Sequence, residues 1–188
     1  MEKEQEVRFE ITGDQKKSII NNTEEYKERM EMLDITFGYE GFNSYSKYGF
    51  ICRIRQKGDK KTLEVKKYIN KNECIEQIIK LEKVTDGINY LKLIGMKPYL
   101  YLKRHREVRK YKNLKAFIDE FDIIGDFVEI EYQDSKSKKE ELKEFINLIN
   151  IKGSEQDMYG GIIKCKLEQD FEFKKIFDKN LNKILEKN

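Results

Sequence analysis

The stretch EKEQEVRFEI, residues 2–11, sets Glu4, Glu6, Arg8 and Glu10 in alternation with Gln5, Val7, Phe9 and Ile11. Side chains of a strand point to opposite sides with period two, so this is a strand with one charged and one largely apolar face. Its consequence for the fold depends on which face turns inward. With the apolar face inward the strand belongs to an ordinary sheet whose other face is wet. With the charged face inward it lines a cavity that holds something charged.

The same pattern recurs along the chain. Arg53 and Arg55 flank Ile54, Glu64 and Lys66 flank Val65, Arg104 and Arg106 flank His105, and Glu129 and Glu131 flank Ile130. Each is an i, i+2 pair and lies on one face of its strand. Together with the opening stretch, five strands carry such a face. That calls for either a sheet wide open to water or a barrel with a charged interior.

The two readings differ in energy. A like-charge pair at about 4 Å costs on the order of 4 kcal/mol at an effective dielectric near 20. A cavity holding Glu4, Glu6, Glu64, Glu129 and Glu131 beside Arg8, Arg53, Arg55, Lys66, Arg104 and Arg106 therefore suits a ligand of both signs. A polyphosphate with its divalent cation is such a ligand. Magnesium and manganese take carboxylate and phosphate oxygens, and guanidinium forks bind phosphate bidentately.

Composition narrows the alternatives. The 188 residues are 38% hydrophobic and 39% charged, yet 38 basic against 35 acidic residues leave a net charge of only +3, unlike a uniformly basic nucleic-acid binder. Cys52, Cys74 and Cys165 have neither metal-ligand nor framework spacing, which points to a reduced, cytoplasmic setting. His105 is the one histidine, which disfavours a histidine-rich metal site and a Ser-His-Asp triad. No apolar run is long enough to span a bilayer, so membrane insertion is not expected.

Between these strands the periodicity predicts a helix over 14–33 with Asp14 as N-cap, and a second helical region over 72–96 broken at Asp86-Gly87. A hairpin is expected around the polar GDKK of residues 58–61. Strands are expected in YLYLKRHREVRKY, LKAFIDEFD and DFVEIEY, followed by an amphipathic helix carrying Leu142, Phe145, Ile146 and Ile149 and a C-terminal helical segment.

In this order the charged motifs resemble the CYTH superfamily, the triphosphate tunnel metalloenzymes, which include class IV adenylyl cyclases, thiamine triphosphatases and inorganic tripolyphosphatases. The family's N-terminal ExExK is similar to Glu4-Gln-Glu6-Val-Arg8, with Arg in place of Lys. Its two-arginine strand looks like Arg53-Ile-Arg55, the next strand like TLEVK ending at Lys66, and its K-x-R strand like Arg104-His-Arg106. FIDEFDIIGDFVEIE is similar to the family's aspartate strand, Gly turn and closing ExE.

The resemblance implies an α+β fold, a closed eight-stranded antiparallel β-barrel or triphosphate tunnel with flanking helices. It covers residue 4 to about 160 of one domain spanning 1–188, with a C-terminal helical segment over 161–188. It implies Mg2+ or Mn2+ at the catalytic carboxylates Glu4, Glu6, Glu129 and Glu131, with Asp119 close by. Arg8, Arg53, Arg55, Lys66, Arg104 and Arg106 would bind the substrate. The implied partner is ATP, thiamine triphosphate or tripolyphosphate, with no membrane and no specific DNA, and a homodimer is compatible. The implied reaction is cyclisation of ATP or hydrolysis of a triphosphate. Arg8 departs from the family, because a guanidinium holds phosphate but does not exchange a proton, so a non-catalytic polyphosphate-binding protein is the alternative.

Overall fold

A computed structural model describes residues 4–70, 73–133, 136–156 and 158–188, with only the backbone at positions 4, 28, 68–70, 73–74, 133 and 136–137. Eight strands and six helices follow one another along the chain: β1 (Glu4–Ile11), α1 (Gly13–Asn22), β2 (Glu24–Gly38), α2 (Ser44–Tyr48), β3 (Phe50–Lys57), β4 (Lys60–Asn70), β5 (Glu73–Lys80), α3 (Val84–Leu93), β6 (Lys97–Tyr111), β7 (Leu114–Phe121), β8 (Gly125–Gln133), α4 (Lys136–Leu148), α5 (Tyr159–Gln169) and α6 (Phe171–Lys187). Residues 1–31 and 104–158 form one compact unit, and residues 32–103 and 159–188 a second. β2 and β6 contribute to both, with 24–31 and 104–111 in the first and 32–38 and 97–103 in the second.

The fold is α+β with one ladder in the order β1-β8-β7-β6-β2-β3-β4-β5. The expected closed barrel is not confirmed: among the described residues no hydrogen-bonded pairing joins the two terminal strands. The free edge of β1 has a different partner, because the backbone N–H of Gln156 donates to the Arg8 carbonyl at 2.8 Å. At the other end β5 is an exposed edge, with Ile75, Ile78 and Ile79 each more than half accessible.

In the first unit β1 pairs with β8 so that Glu6 faces Glu131 and Arg8 faces Glu129, and Lys115 of β7 in turn faces Glu131. Directly opposed residues share a face. Val7, Phe9 and Ile11 therefore lie on the other face, with Ala116, Ile118, Val128 and Ile130, and pack against Ile19 of α1 and Leu142, Phe145 and Ile149 of α4. This apolar face is the unit's core, and it commits the alternating charges to the opposite side. In the second unit the same division holds. Ile35, Phe37, Cys52 and Ile54 are buried on one face, while Arg53 and Arg55 occupy the other.

Two expected helices are corrected. α1 ends at Asn22, and the residues expected to continue it to 33 belong to the 15-residue strand β2. The helix starts from a capping box in which the Thr12 hydroxyl, not Asp14, accepts from Gln15. Its end is fixed from outside: buried Arg109 of β6 donates to the carbonyls of Ile20 and Thr23 at 3.0 and 2.7 Å and to the Thr23 hydroxyl at 3.0 Å. Thr23, extended at φ −133°, then leads into the strand. Bonds from a charged donor are worth about 1.5–3 kcal/mol each. Arg109→Met is thus expected to lower the urea unfolding free energy by about 2–3 kcal/mol, with the loss of α1 amide protection preceding global exchange.

The region 72–96 divides into strand β5 and helix α3, and Gly87 lies inside α3 instead of breaking it. A Cβ there would stand 2.8 Å from Leu81 Cδ1 and 3.0 Å from Ile54 Cδ1, so Gly87 lets α3 approach β3 closely. In β5 the pairing of Leu63 with Ile79 and Glu64 with Ile78 extends the β3–β4 hairpin by one strand. No described helix is long and apolar enough to cross a membrane.

Candidate functional site

The charged face of the first unit is a connected set of ion pairs. Arg8 on β1 donates through Nε to Glu129 on β8 at 2.8 Å, its Nη2 lies 2.7 Å from the same oxygen, and that Nη2 donates to Glu6 at 2.6 Å. Arg106 on β6 forks onto Asp119 on β7 at 2.6 and 2.5 Å and stands 3.4 Å from Glu129. Arg104 Nε lies 3.3 Å from the same Asp119, and Lys115 Nζ lies 3.1 Å from Glu131. The Glu4 side chain lies outside the described residues.

Asp119 is fully buried and Arg104 nearly so, at 0% and 3% exposure. A guanidinium suits this environment better than an ammonium, being less strongly hydrated and able to stack. Arg104 sits 5.7 Å from the Phe121 ring centroid and Arg106 sits 4.8 Å from that of Phe117. These rings lie on the charged face with them, since Phe121 is directly opposite Arg104 in the ladder. Such neighbours favour arginine over lysine at 104.

The second unit has a separate charged cluster on β2, β3 and β4. Arg55 forks onto Asp34 at 2.7 and 2.9 Å, and Asp34 is 2% exposed. Arg53 Nε donates to Glu64 at 2.7 Å, Arg55 Nη1 lies 3.4 Å from the same oxygen, and the Thr62 hydroxyl donates to Glu64 at 2.9 Å. Lys66 continues the same face of β4, half-buried and opposite Ile51 of β3 and Glu76 of β5. Through these bonds Asp34 and Glu64 fix the orientation of the two guanidinium groups. Among the described residues Arg53 bonds through Nε alone, which leaves its two terminal nitrogens for another acceptor.

Of the residues singled out by the sequence, the structure joins Glu6, Arg8, Arg104, Arg106, Asp119 and Glu129 in the first cluster, and Arg53, Arg55 and Glu64 in the second. Glu131 shares the first face but pairs with Lys115. Sequence reading passed over Asp34, Thr62 and Lys115. Asp34 had a usable signal: with Thr36 it alternates against Ile35 and Phe37 in the same period-two pattern as the arginine strand. His105 lies across β6 from the cluster, opposite Glu120. Cys52 sits on the apolar face, where burial pushes its thiol up to about 11, so it is no thiolate nucleophile near neutral pH.

No protein-family model matches the sequence, and no curated protein does either. Solved structures do match. A Pyrococcus horikoshii protein superposes with a TM-score of 0.68 at 20% identity, covering 87% of this chain and 99% of its own. A candidate adenylate cyclase from Vibrio parahaemolyticus superposes with a TM-score of 0.64 at 14% identity, covering 87% of this chain and 98% of its own. The chain has the CYTH fold. A third CYTH-fold neighbour, a candidate adenylyl cyclase from Hippeastrum with a dominant triphosphatase activity, matches at a TM-score of 0.55 and 14% identity over 80% of this chain and 89% of its own. At these identities the likeness concerns the CYTH fold, and the chemistry has to be argued from the two clusters.

Proposed function

We propose that the chain is a divalent-metal-dependent enzyme that hydrolyses the phosphoanhydride of a small triphosphate compound. The observation that carries this reading is the convergence of Glu6 and Glu129 on one cationic point, the Arg8 Nη2, at 2.6 and 2.7 Å. Two carboxylates directed at one cation are the protein's usual share of a Mg2+ or Mn2+ site, whose other ligands are waters and substrate phosphates. Their all-oxygen donor set fits a hard cation. Among the described residues no group of three such side chains surrounds a common point, so the pair and not a closed cage is the proposed site.

When bound, such a metal supplies Lewis acidity and a water of lowered pKa. The chain's own residues do the remainder. Glu6 and Glu129 orient the ion, with Glu4 and Glu131 next to them along β1 and β8. Arg106, fixed by Asp119, neutralises charge that develops on a phosphate oxygen. The second unit, taken by itself, carries a phosphate-binding fork in the terminal nitrogens of Arg53, with Arg55 and Lys66 on the same face. Arg8 keeps its proton and serves by charge alone.

The assay is direct. Purified protein with Mg2+ or Mn2+ is expected to release orthophosphate from tripolyphosphate, thiamine triphosphate or ATP. Appearance of cyclic AMP from ATP would replace the hydrolase reading with the cyclase one. Metal-dependent binding of tripolyphosphate without product would favour the non-catalytic binder that the Arg8 departure suggests. No binding and no turnover would sink the enzyme reading and leave the clusters as internal ion pairs.

A further inference from the structure

We infer that Arg8 and the divalent ion are alternative occupants of the Glu6/Glu129 pair, so that the metal loads only once a polyphosphate has drawn the guanidinium away; this rests on the function proposed above. The carboxylate that Glu129 presents is engaged twice by Arg8, through Nε at 2.8 Å and Nη2 at 2.7 Å, and Glu6 is bound by that same Nη2. The side chains of Arg8 and Glu129 are only 12% and 10% exposed, so water screens the pairing weakly. A cation arriving alone meets two carboxylates already bridged by one guanidinium, which offsets one of their two charges and occupies the point where they converge.

Among the described side chains the neighbouring acids offer no vacancy either. Glu131 is held by Lys115, and Asp119 by Arg104 and Arg106. A triphosphate changes this balance because its oxygens accept the same guanidinium fork that the carboxylates accept. Arg8 then exchanges a carboxylate partner for a phosphate one, and Glu6 and Glu129 become available to the ion that travels with the triphosphate. A lysine at position 8 would make only point contacts and could not bridge both acids through a planar fork. The arginine therefore makes metal loading depend on substrate.

The test reads metal retention, not turnover. Protein is equilibrated with Mn2+ alone or with Mn2+ and tripolyphosphate, and retained Mn2+ is measured after ultrafiltration. The wild type is expected to retain Mn2+ only when tripolyphosphate is present. Arg8→Gln is expected to retain Mn2+ alone, with at least about tenfold higher affinity, equal to ~1.4 kcal/mol, and the added change Glu129→Gln should remove the gain. Arg8→Lys, a milder substitution that guards against misfolding, should give an intermediate gain. Arg29→Gln removes an equal charge from the Glu120 pair, away from Glu6 and Glu129, and should change Mn2+ retention less than twofold. Equal Mn2+ retention by wild type, Arg8→Lys and Arg8→Gln would overturn the competition, as would an Arg29→Gln gain matching that of Arg8→Gln. Failure of the wild type to retain tripolyphosphate under any condition would instead overturn the proposed function, and the Arg8→Gln comparison with Mn2+ alone would still decide the competition.

Discussion

Replacing Asp119 with alanine is expected to destabilise the first unit by about 3–5 kcal/mol, the usual cost of removing one partner from a buried ion pair. Asp119 has no exposed surface, and its two oxygens hold Arg106 at 2.6 and 2.5 Å with Arg104 at 3.3 Å. The alanine variant leaves two cations facing a small void, with phenylalanine rings as neighbours. Rings offset part of a guanidinium's charge, about 0.5–2 kcal/mol, too little to replace a carboxylate. The urea midpoint measures the loss against a surface control. Glu120→Gln, which breaks the partly exposed contacts to Lys16 and Arg29, should cost less than about 1 kcal/mol. If the two variants melt alike, water reaches Arg104 and Arg106 and the cluster is not the buried network described here.

That contrast bears on what could be read before the fold was known. Period-two alternation is a local property, and it placed β1, β3, β6, β7 and β8 and assigned Glu6, Arg8, Arg106 and Glu129 to one face. It also placed Val7 and Phe9 on the opposite one. Where alternation and helical spacing coincide, local reading failed. Tyr26, Met30 and Leu33 fit a helical stripe, as do Ile75, Ile78 and Ile79. The outcome in both regions depends on residues far along the chain: Arg109 caps α1 from 86 positions away, and β4 pairs with β5.

The same distinction explains the second cluster. Arg53 and Arg55 were visible as a pair, but the carboxylates that hold them were not, since Asp34 meets Arg55 only through the β2–β3 register. Closure of the barrel was equally out of reach. It depends on what the edge of β1 meets, and the Arg8 carbonyl accepts from Gln156, a residue with no strand pattern around it.

Glu129→Gln is expected to abolish turnover while preserving the fold, and the size of the two effects separates a metal site from a structural ion pair. Outer-shell partners of a metal typically cost 10–100-fold when removed, so loss of a direct ligand should lower kcat/KM by at least about 100-fold. Glutamine keeps the shape and one acceptor oxygen, enough for Arg8 or for Arg106 but not for both, so the melting temperature should fall by less than in Asp119→Ala. Binding should then be read separately. Tripolyphosphate at about 100 times its dissociation constant stabilises a protein by ~2.7 kcal/mol. In Glu129→Gln that stabilisation should persist without metal, because the arginines that donate to phosphate remain, and should lose its increment on adding Mg2+. A structural ion pair would behave in the opposite way, with stability falling and the metal increment unchanged. The side chain that Arg8 and Arg106 both contact is thus the position at which loss of charge and loss of packing can be told apart.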